Sequence, residues 1–269
     1  MTVTEYAARY NMSPTAIYKS VYAGRISFTR QNGRLDLADL PPEIHPRFRK
    51  PDELTGLPDY ILALIWFNGT ISDDTILVRH KNPDIPETVA SAIRASVWQR
   101  SGDKKQSVCK IGSATIANAL RELGFTGKKD IDRKPPPVEP MAFAKAFTES
   151  HSCFGFALQY DRHHPGDKSK AFYTPRITLC SSPAITETFA LSLAALNVAP
   201  MKRTARAANG ASAIYTVTSR SQLENISRVL SADLDGFGLH NFWPDFDAHA
   251  AHKTIPYFDY HERSANETL

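Results

Sequence analysis

The spacing of apolar positions changes several times along the chain, and each change marks an element. Val3, Tyr6 and Ala7 recur at helical spacing. Thr2 and Glu5 stand in capping-box register ahead of them, which predicts a helix to about Tyr10. Ser13 followed by Pro14 is the signature of a second helix start, with the proline at a position that needs no N–H. That helix spans residues 14–23, with Gly24 placed for a left-handed C-cap. Ala16, Ile17, Ser20 and Val21 share its inner face; Thr15, Tyr18, Lys19 and Tyr22 are left outside. Ile26, Phe28 and Arg30 then alternate, and Asn32-Gly33 separates them from Arg34, Leu35 and Leu37, a strong hairpin signal. Two short helices and a hairpin over residues 1–40 read as a winged helix-turn-helix. Residues 41–56 carry Pro41, Pro42, Pro46 and Pro51 with Arg47, Arg49 and Lys50 between them, a stiff basic connector and a domain boundary. Its cations suit a phosphate track and a solvated linker equally.

Beyond residue 57 one pattern occurs twice, and a repeat sets the architecture. In residues 57–136 an apolar helix at 59–68 precedes strands near 70–72 and 75–80. A helix at 86–97 opening on Pro86 follows, then strand around 107–111, then ATIANALRELG, a helix stopping at Gly124. In residues 137–232 a helix at 140–151 precedes strands near 154–162 and 171–180, joined by HHPGDKSK. Then come the helix AITETFALSLAALN, strands near 202–207 and 213–218 about Asn209-Gly210, and a helix at 221–230. Both copies read αββαββα, the first with one clear strand in its second pair. The predicted class is therefore α+β, followed by a tail over residues 233–269.

Composition narrows the picture. With 269 residues, 42% of them hydrophobic and 22% charged, the chain has the make-up of a globular protein of two or three domains and lacks the disorder signature. Cys109, Cys153 and Cys180 have no metal-site spacing and read as reduced, buried thiols. MTVTEYAARY has no leader pattern and the longest apolar run, 60–67, is too short to span a bilayer, so no membrane partner and a cytoplasmic location are expected. Net charge is +4, but residues 231–269 hold seven acids against Lys253 and Arg263, a net of −5, so the remainder carries +9. A basic body suits a polyanionic partner.

The stretch TVTEYAARYNMSPTAIYKSVYAGRI followed by NGR resembles the MerR/excisionase type of winged helix-turn-helix. The resemblance implies that the second helix enters a DNA major groove with Thr15, Tyr18 and Lys19, and that Arg30 and Arg34 meet flanking phosphates. The helices YILALIWFNGTI and FAKAFTESHSCF, with the repeated order of elements after them, resemble the signature helices of LAGLIDADG homing endonucleases over residues 57–232. That resemblance implies two pseudo-symmetric repeats in a monomer. Their first helices pack side by side through small residues (Ala63, Gly69 and Ala146), and their sheets form a saddle over double-stranded DNA. It also implies an acid at the foot of each signature helix, holding a divalent metal for phosphodiester cleavage. Here those positions are Asn68 and His151. An amide lacks the charge and an imidazole is a poor ligand for Mg²⁺. Glu149, two residues before His151, is turned about 200° away, and Asp73 and Asp74 suit a turn.

The remaining candidates are cations on strands and turns. In the first copy these are Arg79, Lys81, Arg100, Lys104, Lys105 and Lys110; in the second, Arg162, Lys168, Lys170, Arg176, Lys202, Arg203 and Arg206. Alternation would set Arg162 on one face with Tyr160. The expected function is sequence-specific DNA binding without cleavage and without a cofactor, in a transcriptional regulator of a host, phage or mobile element. The alternatives are an active endonuclease or nickase using Mg²⁺ through unusual ligands, and an RNA-binding splicing cofactor of the maturase kind. The tail GFGLHNFWPDFDAHAAHKTIPYFDYH suits packing on the helical side of the sheets or a protein partner. His249 and His252 share a helix face there, but nothing completes a zinc pattern.

Overall fold

The structure is a computed structural model. It describes residues 1–10, 12–22, 26, 28–31, 34–38, 57–93, 95, 97–100, 106–127, 133–198, 205–206, 212–234, 236–239 and 241–266. The expected C-cap at Gly24, the turns at Asn32-Gly33 and Asn209-Gly210, the connector at 41–56, and Lys104, Lys105, Lys202 and Arg203 lie outside the described residues. The chain divides into two compact units, Met1–Lys50 and Pro51–Leu269.

In the first unit α1 (Val3–Tyr10) and α2 (Pro14–Tyr22) precede a hairpin of β1 (Phe28–Gln31) and β2 (Arg34–Leu37). The capping box forms as the residue types dictate. Thr2 N donates to Glu5 Oε2 at 2.8 Å, and Glu5 N donates to Thr2 Oγ1 at 3.3 Å. Ser13 Oγ accepts from Ala16 N at 3.2 Å at the start of α2. Tyr6, Ile17, Val21, Ile26 and Leu37 make the small core, and Gln31 pairs with Arg34.

The second unit is built on two central helices, α3 (Asp59–Asn68) and α6 (Pro140–His151). Every residue of α3 from Tyr60 to Asn68 is buried, and so is every residue of α6 from Ala142 to Ser150. A helix apolar all round has no face to give to solvent, so it runs through the core. The two pack on each other. Phe67 sets its ring 5.3 Å from Phe143 and 5.2 Å from Phe147, and Asp59 Oδ2 accepts from Glu139 N at 2.8 Å.

After α3 come β3 (Gly69–Ser72), β4 (Thr75–His80), α4 (Asp84–Ile93), β5 (Val97–Arg100), β6 (Gln106–Gly112) and α5 (Ala114–Glu122). Their antiparallel sheet runs β3-β4-β6-β5. The strand β5 supplies the member that was faint in the sequence. The helix α4 starts at Asp84 rather than Pro86 and ends at Ile93 rather than 97. Asn82 Oδ1 accepts from Asp84 N at 3.0 Å and opens the helix early, leaving Pro86 in the first turn where no N–H is needed.

After α6 come β7 (Ser152–Gln159), β8 (Phe172–Ser181), α7 (Pro183–Ala195), β9 (Ala205–Arg206), β10 (Ala213–Val217) and α8 (Arg220–Leu230). The tail adds α9 (Phe242–Ala250), β11 (Ile255–Pro256) and α10 (Tyr257–Asn266). The second sheet runs β11-β8-β10-β9, with β7 on the other edge of β8. Here β7 ends at Gln159, so Tyr160 and Arg162 are not strand residues and share no strand face. Asp161 ends it by turning the chain: its Oδ1 accepts from His163 N at 2.7 Å.

The tail is part of this core. Phe154 and Phe156 of β7 stand opposite Ile177 and Pro175 of β8, on the face those buried residues share. Onto Phe154 pack Phe242, Phe246 and His249 of α9, the last stacked at 5.2 Å. His249 and His252 both meet Phe156 edge-on, as packing groups.

Candidate nucleic-acid interface

Strand alternation gives each sheet a helix-covered face and an open face. In the first sheet Ile76, Val78, Cys109 and Ile111 face the helices and are buried. The opposite face carries Leu77 across from Lys110 and Arg79 across from Val108, which makes Arg79 and Lys110 diagonal neighbours. Lys110 is exposed; Arg79 is half-buried, and its Nε has no hydrogen-bond partner. Arg100 belongs to β5, with its side chain outside the described residues. Lys81 is exposed just past the end of β4.

In the second sheet Ile177, Leu179, Tyr215 and Val217 face inward. The open face carries Thr174, Arg176, Thr178 and Cys180 of β8, Cys153 and Gly155 of β7, and Thr216 of β10. Arg176 is exposed and lies across Gly155, where an added Cβ would come 3.7 Å from Nε. Arg162, Lys168 and Lys170 lie in the exposed connection between β7 and β8, and Arg206 pairs with Ala213 with its side chain outside the described residues. The expectation of buried thiols holds for Cys109 and fails for Cys153 and Cys180. Both are exposed on the open face, and the period-two pattern of their strands is the signal that could have placed them.

The strands β3 to β10 contain Arg79, Arg100, Lys110, Arg176 and Arg206 and no Asp or Glu. In a chain with 28 acids against 32 Lys and Arg, this segregation leaves both open faces without a carboxylate of their own. In the other unit Thr15, Tyr18 and Lys19 are exposed on one side of α2, while Arg30 and Arg34 belong to the hairpin with their side chains outside the described residues.

The feet of the two central helices hold Asn68 and His151. Asn68 Nδ2 donates to Leu64 O at 3.0 Å, so the amide is turned back on its own helix. His151 stacks on Phe147 at 5.0 Å, meets Phe67 edge-on at 5.6 Å, and has Nδ1 2.9 Å from Ser150 Oγ. Ala63 and Ala146 are wholly buried on the paired helices. Gly69 is held by a different approach: a Cβ there would lie 2.4 Å from Ile65 O and 3.2 Å from the Phe125 ring.

Glu149 serves another site. Its carboxylate accepts from Tyr60 Oη, from Trp243 Nε1 at 2.7 Å and from Leu239 N at 3.4 Å. Lys145 Nζ lies 3.5 Å from it, and that ammonium also donates to Leu230 O at 3.0 Å and Ala232 O at 2.8 Å. Burial pushes the Glu149 carboxyl up and the Lys145 ammonium down, and their mutual attraction opposes both shifts. This pair is spent on tying the tail to α6. Among the described residues no three His, Cys, Asp or Glu side chains gather as a metal site. Mg²⁺ calls for several hard oxygen ligands in near-octahedral array. The amide and imidazole at the helix feet do not fit it.

No family model and no curated protein matches the chain. In fold it is similar to solved LAGLIDADG homing endonucleases. The meganuclease I-SmaMI bound to uncleavable DNA shares 12% identity and a TM-score of 0.46, over 73% of this chain and 88% of that one. The LAGLIDADG meganuclease I-AabMI bound to uncleaved DNA gives 10% identity and a TM-score of 0.47, over 72% and 90%. I-SmaMI bound to cleaved DNA gives 10% identity and a TM-score of 0.45, over 71% and 87%. No helix among the described residues is long and apolar enough to cross a membrane.

Proposed function

We propose that the chain binds double-stranded DNA through the open faces of its two sheets and acts as a sequence-specific transcriptional regulator that does not cleave its target. The observation that carries this reading is the exclusion of every carboxylate from β3 to β10, where Arg79, Lys110 and Arg176 stand on the open faces. Cations on a strand face reach phosphates, and a face without acids meets a polyanion without like-charge repulsion. Thr174, Thr178 and Thr216, on the same face as Arg176, are small groups suited to base edges. In this reading α1, α2 and the hairpin form a winged helix-turn-helix that adds a second DNA contact through Thr15, Tyr18, Lys19, Arg30 and Arg34. The two αββαββα halves are pseudo-symmetric repeats of one monomer. No cofactor is required, and Asn68 and His151 stand where a nuclease would need acids.

The test begins with selection of a binding site from random duplexes by the full chain. Affinity for that site should fall linearly in log–log terms with salt, and Arg79→Ala with Lys110→Ala should flatten the slope by about 0.9 for each phosphate no longer neutralised. Bound DNA should shield Cys153 and Cys180 from alkylation. A supercoiled plasmid carrying the site should stay intact with Mg²⁺ or Mn²⁺. Unchanged alkylation in saturating DNA would remove the open face from the interface, and nicking or linearisation would replace the regulator with a nuclease.

A further inference from the structure

The edge of β8 opposite β7 is not fully occupied. There β10 reaches only to the partner of Ile177, and β11 ends at the partner of Tyr173. Between them Pro175 has no strand beside it, a place where a residue without an N–H breaks no ladder. A cavity of about 450 Å³ opens at this gap. Its floor is apolar: Pro175 and Ala250 are buried and Leu223 is fully so. Its rim carries the cations Arg220 and Lys253 together with the imidazole of His252, and no acidic lining residue among the described residues. The helix α8 begins on that rim. Its N-cap, Ser219, makes no side-chain cap bond and instead holds Ser221 Oγ at 3.0 Å, so the positive end of the helix is not neutralised by its own cap. Among the described residues Glu224, an exposed group, engages the rim through Arg220 Nε at 2.9 Å.

We propose that this cavity binds a small organic anion, one or two rings or a branched apolar body carrying a carboxylate or phosphate. The volume lies within the range of ordinary small-molecule sites. The chemistry divides by depth. Burying an apolar body against Pro175, Leu223 and Ala250 uses the floor, while an anionic head at the mouth answers Arg220, Lys253 and the α8 N-terminus, with the His252 ring beside them. A bare inorganic anion leaves the floor uncovered, and a neutral apolar molecule leaves the cations unanswered. Pro175 faces the helix-covered side and Arg176 the open side, while Thr174 belongs to both the cavity lining and the proposed DNA surface, so the site is tested without DNA.

The full chain is titrated by calorimetry with phenyl phosphate, benzoate, inorganic phosphate and benzyl alcohol, while the ring C–H resonances of His252 are followed by NMR. Phenyl phosphate or benzoate should saturate and shift His252, and the tighter of the two assigns the head group as phosphate or carboxylate. Inorganic phosphate and benzyl alcohol should each bind at least about tenfold more weakly, because each keeps only half of the recognition. Arg220→Ala combined with Lys253→Ala should weaken binding by about tenfold or more. Both positions are exposed, and an unchanged thermal melt verifies that the variant keeps its fold. Three outcomes overturn the proposal: no saturation by either aromatic anion, saturation that leaves His252 unmoved or survives the double variant, or equal binding by benzyl alcohol or inorganic phosphate.

Discussion

At the scale of single residues, burial decides chemistry. Cys109 is fully buried, and desolvation pushes its thiol up to about 12, whereas Cys153 and Cys180 are exposed. Alkylation of the native protein near pH 8 should therefore modify two thiols, with the third appearing only on denaturation, as intact-mass spectrometry will count. The unfolded thiol ionises near 9. Between that value and 12 the native chain holds a proton that the unfolded chain releases, so stability present at lower pH is lost as pH rises through this window. Cys109→Ala should flatten that alkaline slope in denaturant titrations. The Lys145–Glu149 pair gives a second residue-scale expectation. Lys145→Met leaves a carboxylate stranded in the core and should cost about 3–5 kcal/mol, while the double change with Glu149→Gln should recover part of that loss. Trp243→Phe removes one donor and should cost about 1–3 kcal/mol, all read from urea midpoints.

At the scale of elements, the ends of helices and strands carry the information. Gly69→Ala should destabilise by about 1–3 kcal/mol or more, because the new Cβ meets a backbone carbonyl that cannot move aside. Gly112→Ala, with nothing within 4 Å of the added carbon, should change the melting temperature little. Much of this level was legible. Thr2, Glu5, Ser13 and Pro14 announced their helices, and the apolar run at 60–67 announced another, which the structure buries on every side. What stayed hidden depends on partners remote in sequence. The strand β5 is short and is defined by its pairing with β6. The end of β7 is set by Asp161 capping a turn, which cut Tyr160 and Arg162 out of the expected strand face. Lys145 and Glu149 have helical i, i+4 spacing in plain view. Their role, however, comes from Trp243 and Leu239 some ninety residues later, and no local pattern signals that. The cationic strands were visible one by one. The absence of acids from all of them emerged only with the strand limits.

At the scale of the whole molecule, the two compact units should melt separately, giving two calorimetric transitions of which the larger belongs to residues 51–269. The larger unit has a particular dependence on its last third. Apart from Tyr60, the ionic pair in α6 finds its acceptors and donors at residues 230–243, and Phe242 and Phe246 pack on Phe154. During synthesis, then, α6 leaves the ribosome carrying two charges it cannot yet bury, and it must wait for nearly a hundred more residues before it can settle. A premature stop codon shortly before position 239 would yield a polypeptide stuck in that waiting condition, a ready client for chaperones and proteases rather than a shorter working protein.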